Sequence, residues 1–301
     1  MQKNVGEPGS RKTGYPANPL TGKPVSRRAG EPLRRRAVVL LSGGMDSATV
    51  LAMAEKRGYD ISALSFDYGQ RHRREIICAR KIAFHFDVRE HLVLRIPLGE
   101  LGGSALTDPK IQIPAGKGPW RRGACIPATY VPGRNLILLS FAAAYAEVIG
   151  AEAVFIGANA LDYSGYPDCR PDFLRQFEST AAKGTRRGIS GKPLRIIAPL
   201  LRLSKADIVK LGASLGVPFQ LTWSCYRGGI RPCGRCDSCL IRAKGFREAG
   251  MKDPLIAVGA RGCKGARVQR GKGRSTIRRR TLAPLHPVHP STLDQNGRHL
   301  H

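Results

Sequence analysis

AVVLLSGGMDSATVLAMAEKRGY, residues 37–59, is the stretch that decides the fold. Five apolar residues, Ala37–Leu41, run into Ser42-Gly43-Gly44-Met45-Asp46-Ser47 and then into a segment of helical composition. A continuous apolar run followed by glycines is typical of a central parallel strand, and Ala48–Lys56 is predicted to be a helix that stops at Gly58. In this arrangement several backbone N–H groups lie unhindered at the positive end of a helix. The turn therefore predicts an anion site.

The turn does not match the two commonest nucleotide-binding loops. GxxxxGK[ST] is absent, no Lys follows Gly44, and the dinucleotide pattern GxGxxG fails. A tight strand-to-helix turn, with Asp46 or Ser47 as the helix cap, accounts for the hexapeptide equally well. The hexapeptide by itself leaves both interpretations open.

Strands and helices alternate along the rest of the chain. Further strands are predicted at Ile61–Phe66, Leu92–Ile96, Ala153–Ile156 and Arg195–Ile197, and helices at Arg71–Phe86, 135–148, 172–182 and Lys205–Leu215. The expected buried face of the second helix consists of Ile76, Ile77, Ala79, Ala83 and Phe84. This alternation predicts an α/β fold, a doubly wound parallel sheet that binds ligands at the carboxyl ends of its strands. Residues 97–133 form a connection long enough to be functional or mobile.

The net charge of +28 is concentrated at the two ends of the chain. Residues 1–36 hold nine Lys or Arg against two acids, and residues 256–301 hold ten against one. Both segments are rich in Gly, Pro and Arg without a helical or strand period, so we predict disordered basic extensions. Between them we predict one α/β domain at 37–220 and a cysteine-containing segment at 221–255 packed on it. Nucleic-acid docking is the alternative to a purely solvated role for the extensions.

The sequence contains no recognisable signal for secretion or for a membrane. Residues 1–36 have no apolar h-region, and their Pro and Gly content argues against an amphipathic transit peptide. No run approaches the ~20 apolar residues that span a bilayer. The most apolar segment, Leu136–Ala146, is predicted to be a buried helix. We therefore expect a cytoplasmic protein without a membrane contact.

Four of the eight cysteines lie close together in CYRGGIRPCGRCDSC, residues 225–239. Cys225, Cys233, Cys236 and Cys239 have the spacing C-x7-C-x2-C-x2-C, which lets four thiolates converge on one tetrahedral ion. The polar, Gly-rich segment argues against plain buried cysteines, and tight bunching in a cytoplasmic chain argues against disulfides. Zinc and an iron–sulfur cluster both fit this spacing.

SGGMDS resembles the SGGxDS pyrophosphate loop of the adenine nucleotide alpha-hydrolase (PP-loop) superfamily, whose members split ATP to activate a carboxylate or carbonyl oxygen. The resemblance implies a Rossmann-like PP-loop ATPase fold with ATP phosphates on the loop and Mg²⁺ close to Asp46. Asp46 and Ser47 are the implied catalytic residues. Arg134 and Asn135 are added by position, although Asn135 is equally suited to cap its helix. The predicted nucleotide-binding residues are Leu41, Ser42, Gly43, Gly44, Met45, Asp46, Ser47, Arg134 and Asn135.

Seven blocks in register extend the resemblance from Ala37 to Gly250, and they are similar to those of the 7-cyano-7-deazaguanine synthases, the QueC family. The blocks are LSGGMDS, ALSFDYGQRHRRE, LGGSALTD, TYVPGRN, FIGANALDYSGYPDCRPDF, APLLRLSKADIVKLGASLGVPF and LTWSCYRGGIRPCGRCDSCLIRAKGF. The resemblance implies the ATP-dependent conversion of 7-carboxy-7-deazaguanine and ammonia to 7-cyano-7-deazaguanine (preQ0) in queuosine precursor biosynthesis. It also implies that 37–220 is an ATP-binding and substrate domain, that the four cysteines at 221–255 bind zinc in a C-terminal zinc knuckle, and that the protein is a homodimer.

A site that binds a flat deazapurine carboxylate is expected to contain an aromatic side chain, polar groups at the edge of the ring, and a basic side chain for the carboxylate. The polar loop after the strand at Ala153–Ile156 supplies all three, so Asp162, Tyr163, Asp168 and Arg170 are predicted to bind the substrate. For His72 we expect a charged residue at a helix start, with a proton carrier as the alternative. Two other classes stay open: a PP-loop tRNA-thiolating enzyme with a cysteine-bound cluster, and a non-enzymatic zinc-knuckle protein that binds nucleic acid. In a synthase, nucleic acid is not required for catalysis.

Overall fold

The computed structural model of the chain describes residues 35–116, 126–159 and 165–256. These residues form five strands: β1 Arg36–Leu40, β2 Asp60–Asp67, β3 Glu90–Arg95, β4 Ala153–Phe155 and β5 Arg195–Ile197. They also form seven α-helices: α1 Met45–Lys56, α2 Arg74–His85, α3 Arg134–Ile149, α4 Pro171–Gly184, α5 Arg186–Ile189, α6 Lys205–Ser214 and α7 Asp237–Glu248. Short 3-10 turns lie at Leu98–Leu101, Pro167–Cys169 and Phe219–Leu221.

The strands pair in parallel in the order β3-β2-β1-β4-β5. β1 is central, because Val38 is in register with Ser62 of β2 on one side and with Val154 of β4 on the other. The chain builds the sheet from β1 out to β3 and then in the opposite direction from β4 to β5. This reversal opens a crevice beyond the carboxyl ends of β1 and β4, where doubly wound sheets bind their ligands.

Helices cover both faces of the sheet, which explains why β1 is apolar at successive positions. Ala37 and Val39 pack in one core with residues of α1, α2 and α6, whereas Val38 and Leu40 pack in a second core with residues of α3 and α4. A strand buried on both faces needs apolar side chains on both. The structure thus confirms the predicted doubly wound α/β sheet.

The start of β1 differs from the predicted boundary. β1 begins at Arg36, which the charge pattern assigns to the N-terminal extension. The Arg36 guanidinium donates to the Ile149 carbonyl oxygen at 2.9 Å and lies 3.7 Å from the Asp60 carboxylate. Because these partners come from the end of α3 and the start of β2, this basic residue belongs to the folded core.

Two helices bury a different set of side chains from the predicted one. In α2 the buried residues are Cys78, Ala79, Ile82 and Ala83. Ile77 and Phe84, predicted to be buried, are 55% and 88% exposed. The loop after β1 approaches the α2 backbone at Ala79 and so selects the side of α2 that faces inward. α3 is buried on one side only, since Leu136, Phe141 and Val148 are each close to half exposed.

None of the described helices combines the length and apolarity that crossing a membrane would need. The predicted basic extensions lie outside the described residues up to residue 34 and from residue 257 onward. Their disorder stays a prediction, as does the division of the core between 37–220 and 221–255.

Candidate active site

A cavity of about 260 Å³ lies at the carboxyl ends of β1, β2 and β4. Its wall is formed by the loop after β1, the turn after β2, the starts of α3 and α6, and the segment before α7. The polar residues in this wall include Ser42, Asp46, Ser47, Tyr68, His72, Glu75, Arg134, Asn135, Tyr166, Cys169, Lys205 and Tyr226. The cavity therefore occupies the crevice that the strand order predicts.

The loop after β1 is held in shape by its own serines. Ser47 Oγ donates to the Gly44 carbonyl oxygen at 3.0 Å, and the Ser42 N–H donates to Ser47 Oγ at 3.2 Å. α1 begins at Met45 after Gly44, with no side-chain cap. Neither Asp46 nor Ser47 is therefore the helix cap, and the first N–H groups of α1 are left for an anion.

Asp46 is paired with Lys205 across the cavity wall. Lys205 Nζ lies 3.0 Å from Oδ1 and 2.8 Å from Oδ2 of Asp46. The lysine side chain is 9% exposed and the aspartate side chain 26% exposed. Lys205 is the first residue of α6, whose start is fixed by a capping box between Ser204 and Asp207. Sequence reasoning missed Lys205, although the capped helix start in LSKAD was a usable signal.

The start of α3 is joined to the loop before α4 through Asn135 and Asp168. Asp168 Oδ2 accepts the Asn135 N–H at 2.9 Å, and Asn135 Nδ2 donates to the Asp168 carbonyl oxygen at 3.2 Å. Asp168 is only 6% exposed and is not among the described residues that line the cavity. Its carboxylate thus satisfies an N–H at the start of α3.

Arg134, Tyr68 and Tyr166 line the cavity together. The Arg134 guanidinium donates to the Tyr68 phenol oxygen. Burial alone would lower the pKa of Arg134, but Tyr68, Cys169 and Asp168 hold this pKa above its ordinary value. Burial also raises the pKa of Tyr68 and of Tyr166, and raises the pKa of Cys169 to about 12. A permanent cation beside two neutral phenols suits an anionic aromatic ligand.

His72 and Glu75 form a buried pair at the start of α2. His72 is 2% exposed, and its Nε2 lies 3.2 Å from Glu75 Oε2. The expectation of a charged residue at a helix start had given no reason to expect so deep a burial. Both residues line the cavity, and the Tyr226 ring lies 6.0 Å from the imidazole, measured between ring centroids.

The four predicted cysteines converge, and their sulfur atoms all lie within 4.8 Å of one another. Cys233 Sγ and Cys239 Sγ are 4.0 Å apart, and a tetrahedral zinc with 2.3 Å bonds places its sulfurs about 3.8 Å apart. The Cys236 thiol lowers the pKa of Cys225 through a hydrogen bond, and the same bond raises the pKa of Cys236 to about 11. The cluster fits a metal ion, which would hold all four residues as thiolates.

The other predicted site residues fall into three groups. All the predicted nucleotide-binding residues except Gly43 line the cavity: Leu41, Ser42, Gly44, Met45, Asp46, Ser47, Arg134 and Asn135. Arg170 is exposed and is not among the described lining residues. Asp162 and Tyr163 lie outside the described residues. Tyr68 and Tyr166 were missed as site residues, although both stand in the quoted blocks.

A family model described as Queuosine biosynthesis protein QueC matches residues 36–250. The chain belongs to the QueC family. A QueC relative, the 7-cyano-7-deazaguanine synthase of Anaeromyxobacter sp. (strain Fw109-5), is 56% identical over 225 residues, which cover 74% of this chain and 96% of that protein. The synthase of Anaeromyxobacter dehalogenans (strain 2CP-C) is 58% identical over 221 residues, 72% of this chain and 94% of that protein. The predicted family resemblance is thereby confirmed.

The QueC match begins at Arg36, as β1 does, and includes all five strands of the sheet. Among solved structures, the NMN synthetase from Francisella tularensis is 18% identical with a TM-score of 0.40, covering 78% of this chain and 80% of that chain. A likeness at this level adds nothing to the fold assignment, which rests on the strand order. The QueC relatives are named as synthases, which are enzymes. These names argue against the alternative of a non-enzymatic zinc-knuckle protein.

Proposed function

We propose that this chain is an ATP-dependent carbon–nitrogen ligase that converts 7-carboxy-7-deazaguanine and ammonia to 7-cyano-7-deazaguanine. The names of the QueC relatives, which match over 94% and 96% of their own length, support this activity. The observation that carries the proposal is one cavity lined by two kinds of group. An uncapped helix start beside the Asp46–Lys205 pair suits a polyphosphate, and Arg134 with two buried phenols suits a planar carboxylate.

In this proposal the loop Ser42–Ser47 binds the phosphates of ATP. The N–H groups at the start of α1 and the serine hydroxyls donate to phosphate oxygens, and the Lys205 ammonium adds positive charge. Asp46 would hold Mg²⁺, which would further neutralise the charge that develops on the phosphate oxygens. The ion pair with Lys205 orients Asp46 before a nucleotide enters.

We assign the substrate carboxylate to Arg134 and the substrate ring to Tyr68 and Tyr166. A guanidinium can hold both oxygens of a carboxylate at once. Arg134 was predicted from the sequence to bind ATP, and this proposal assigns it to 7-carboxy-7-deazaguanine instead. Arg134 thereby takes the role predicted for Arg170, whose side chain is exposed. Asp168 acts indirectly in this proposal, because it fixes the start of the helix that carries Arg134.

The chemistry requires two rounds of activation in the same cavity. A carboxylate is a poor electrophile with a poor leaving oxygen, so ATP first converts that oxygen into a phosphate ester or an adenylate. Ammonia then displaces the activated oxygen and leaves an amide. The amide must lose its own oxygen to become a nitrile, and a second activation at the same carbonyl achieves this. The residues of the site contribute orientation and neutralisation of phosphate charge.

We infer that the four cysteines hold Zn²⁺ and that its role is structural. A site closed by four thiolates has no open coordination position for a substrate or water. Cys236 and Cys239 lie at the start of α7, while Cys225 follows the buried Trp223. A metal ion here would therefore join the start of α7 to the segment after α6.

The activity is tested with the purified chain, 7-carboxy-7-deazaguanine, ATP, Mg²⁺ and ammonium, read by mass spectrometry. We expect the nitrile to form as ATP is consumed, and Asp46→Ala to slow it about 100-fold or more. Asp172→Ala is the control, since its side chain is 82% exposed on α4. A folded, zinc-loaded preparation that makes no nitrile contradicts the proposed function. Nitrile formed from the amide without nucleotide consumption contradicts the second activation.

The role of Arg134 is tested by the change Arg134→Lys, which keeps the charge but removes the planar fork. We expect the KM for 7-carboxy-7-deazaguanine to rise on the order of 10-fold or more while the KM for ATP stays unchanged. Arg170→Lys is the matched control. Because Arg170 is exposed, this variant should keep the KM values of the unsubstituted chain for both substrates. A rise in the KM for ATP alone would return Arg134 to the nucleotide site.

A further inference from the structure

His72 is a buried histidine in the cavity to which the proposed function gives no role. It is 2% exposed, and its buried Nδ1 has no hydrogen-bond partner among the described residues. A buried polar atom without a partner is unfavourable, because it has lost its hydrogen bonds to water and gained none in return. A ligand that meets this nitrogen in the working enzyme would supply the missing hydrogen bond.

The contact with Glu75 decides which ring nitrogen carries the proton. A carboxylate only accepts hydrogen bonds, so Nε2, 3.2 Å from Glu75 Oε2, is the protonated nitrogen. The neutral ring then has an unshared electron pair at Nδ1. Glu75 also stabilises the imidazolium that forms when Nδ1 takes up a proton. An imidazole oriented in this way by a carboxylate is equipped to act as a general base.

Backbone packing places this pair between the phosphate loop and the cysteine segment. A Cβ at Gly43 would collide with the Glu75 carbonyl oxygen. A Cβ at Gly228, three residues after Cys225, would lie 3.0 Å from His72 Cα. The backbone of this pair is therefore fixed next to the loop that is proposed to bind the phosphates, near which ammonia has to reach the carbon that carries the activated oxygen.

We propose that His72 Nδ1 is the proton acceptor for the nitrogen chemistry, an inference that rests on the proposed function. In the first round, ammonium gives one proton to Nδ1 and the freed electron pair forms the C–N bond. The bond from carbon to the activated oxygen breaks, and its electrons leave with that oxygen. The second proton lost from nitrogen leaves with the phosphate or nucleotide product.

The second round needs the same group, because the activated amide must lose its N–H protons to become a nitrile. One proton passes to Nδ1, and the electrons of that N–H bond become part of the third C–N bond. The bond from carbon to the activated oxygen breaks with its electrons on oxygen, and the other proton again leaves with the product. Between rounds the imidazolium returns its proton to solvent.

Four other titratable groups in the described wall are less suited to accept this proton. Asp46 is already paired with the Lys205 ammonium. Burial raises the pKa of Cys169 to about 12 and raises the pKa of Tyr68 and of Tyr166, so these three side chains keep their protons at neutral pH. The unshared electron pair of His72 is therefore the better acceptor.

The change His72→Gln removes the basic nitrogen and keeps an N–H donor for Glu75. Ammonia is mostly ammonium at neutral pH and needs a base, whereas hydroxylamine is mostly unprotonated and needs none. We expect amide and nitrile formation from ammonium to slow by about 100-fold or more, while the hydroxamate still forms at a rate close to that of the unsubstituted chain. His85→Gln, at the exposed end of α2, is the matched control and should leave both rates unchanged.

The change Glu75→Gln is a second and milder variant, because the amide oxygen still accepts the Nε2 proton while the charge is lost. Glu75→Gln should also react better with hydroxylamine than with ammonium, but its rate with ammonium should fall less than that of His72→Gln. Equal losses with both nucleophiles in both variants would overturn the proposal, since site geometry rather than proton transfer would be damaged. An unchanged ammonium rate in His72→Gln would also overturn it. The proposed function fails separately, if the unsubstituted chain makes no nitrile.

Discussion

Gly43 and Gly44 are neighbours in the loop Ser42–Ser47, which is proposed to bind phosphate, but only Gly43 is required by the fold. Gly43 has φ +89, and an added Cβ would collide with the Glu75 carbonyl oxygen. Gly44 has φ −80, and its added Cβ would meet only ordinary contacts at 3.4 Å and beyond. Gly43 therefore lets α2 approach the loop, whereas the proposed role of Gly44 is to leave room for the phosphates.

The change Gly43→Ala tests this difference against Gly58→Ala. Gly58 has φ +76 and open space around it, so alanine there meets only the backbone strain of about 1–2 kcal/mol. Gly43→Ala adds a steric overlap with the α2 backbone, which costs about 1–3 kcal/mol more. Urea unfolding of both variants measures the two losses. Equal losses would show that α2 moves away from the loop without cost.

At the scale of elements, α7 links the cysteine cluster to the phosphate loop. The helix carries Cys236 at its N-cap and Cys239 in its first turn. Further along, Gly245 faces the stem of Lys205, and an added Cβ there would overlap the lysine side chain. Lys205 in turn holds Asp46. The position of α7 therefore bears directly on the ion pair in the cavity.

The change Cys236→Ser is expected to reduce the bound zinc and to loosen the start of α7. Trp223, 1% exposed and packed against the cluster, reports this loosening through its fluorescence. The chain has two tryptophans, so the measurement uses a Trp120→Phe background. Cys169→Ala is the control, because Cys169 is buried in a different core from Trp223 and lies outside the four-sulfur cluster. Full zinc content with unchanged fluorescence in Cys236→Ser would contradict a structural metal at these cysteines.

The sheet itself contains a polar connection from β3 to the end of β1. His91 Nε2 lies 2.7 Å from Ser65 Oγ, and the Ser65 hydroxyl donates to the Leu41 carbonyl oxygen. Burial, together with the charge of Arg80, lowers the pKa of His91 from 6.5 to about 4. The last residue before the phosphate loop is thus held by a histidine that stays neutral in the native state.

This lowered pKa predicts a loss of stability in acid. The unfolded chain binds a proton at His91 near pH 6.5 and the native chain only near pH 4, so the unfolded state holds more protons in between. The contribution of neutral His91 to the free energy of unfolding is complete above pH 6.5 and is lost as the pH falls toward 4. Urea midpoints at pH 7, 6 and 5 should fall less in His91→Gln than in the unsubstituted chain. His85→Gln should keep the original slope, and a His91→Gln slope equal to it would contradict the prediction.

At the scale of the whole molecule, the most basic segments and the residues that line the cavity lie in different parts of the chain. The two basic segments carry nineteen of the fifty Lys and Arg residues, while the described cavity wall lies between residues 40 and 242. Arg35 is the first described residue, and although its side chain is exposed it already contacts the folded domain. Its guanidinium lies 4.7 Å from the Tyr59 ring centroid and 3.5 Å from the Glu152 carboxylate.

A chain shortened to residues 35–256 is therefore expected to keep the melting temperature and the nitrile-forming rate of the full chain. Any binding of the full chain to non-specific RNA or DNA should fall steeply with salt, and the shortened chain should lose that binding. A chain that starts at residue 37 is the comparison, because it lacks the Arg36 contacts in β1 and should be less stable. Loss of nitrile formation on removal of the extensions would give them a part in catalysis.

The sequence by itself determined the sheet, the glycine-rich turn between β1 and α1, and the cysteine cluster. Each of these is encoded by residues close together in the chain: the apolar run and glycines after Ala37, the alternation of strand and helix periods, and the spacing from Cys225 to Cys239. Local patterns of this kind reflect local backbone geometry, so they can be recognised without the fold. The family blocks then indicated the chemistry.

Only the tertiary structure decided which side chains share the cavity. Lys205 meets Asp46 across 159 positions of sequence, and Asp168 binds the start of α3 across 33. No local period marks such pairs, because they are set by how helices pack on the two faces of one sheet. For the same reason the sequence placed Arg170 in the site and left His72 at a charged helix start. Burial, which distinguishes them in the structure, depends on the packing of elements that are distant in the chain.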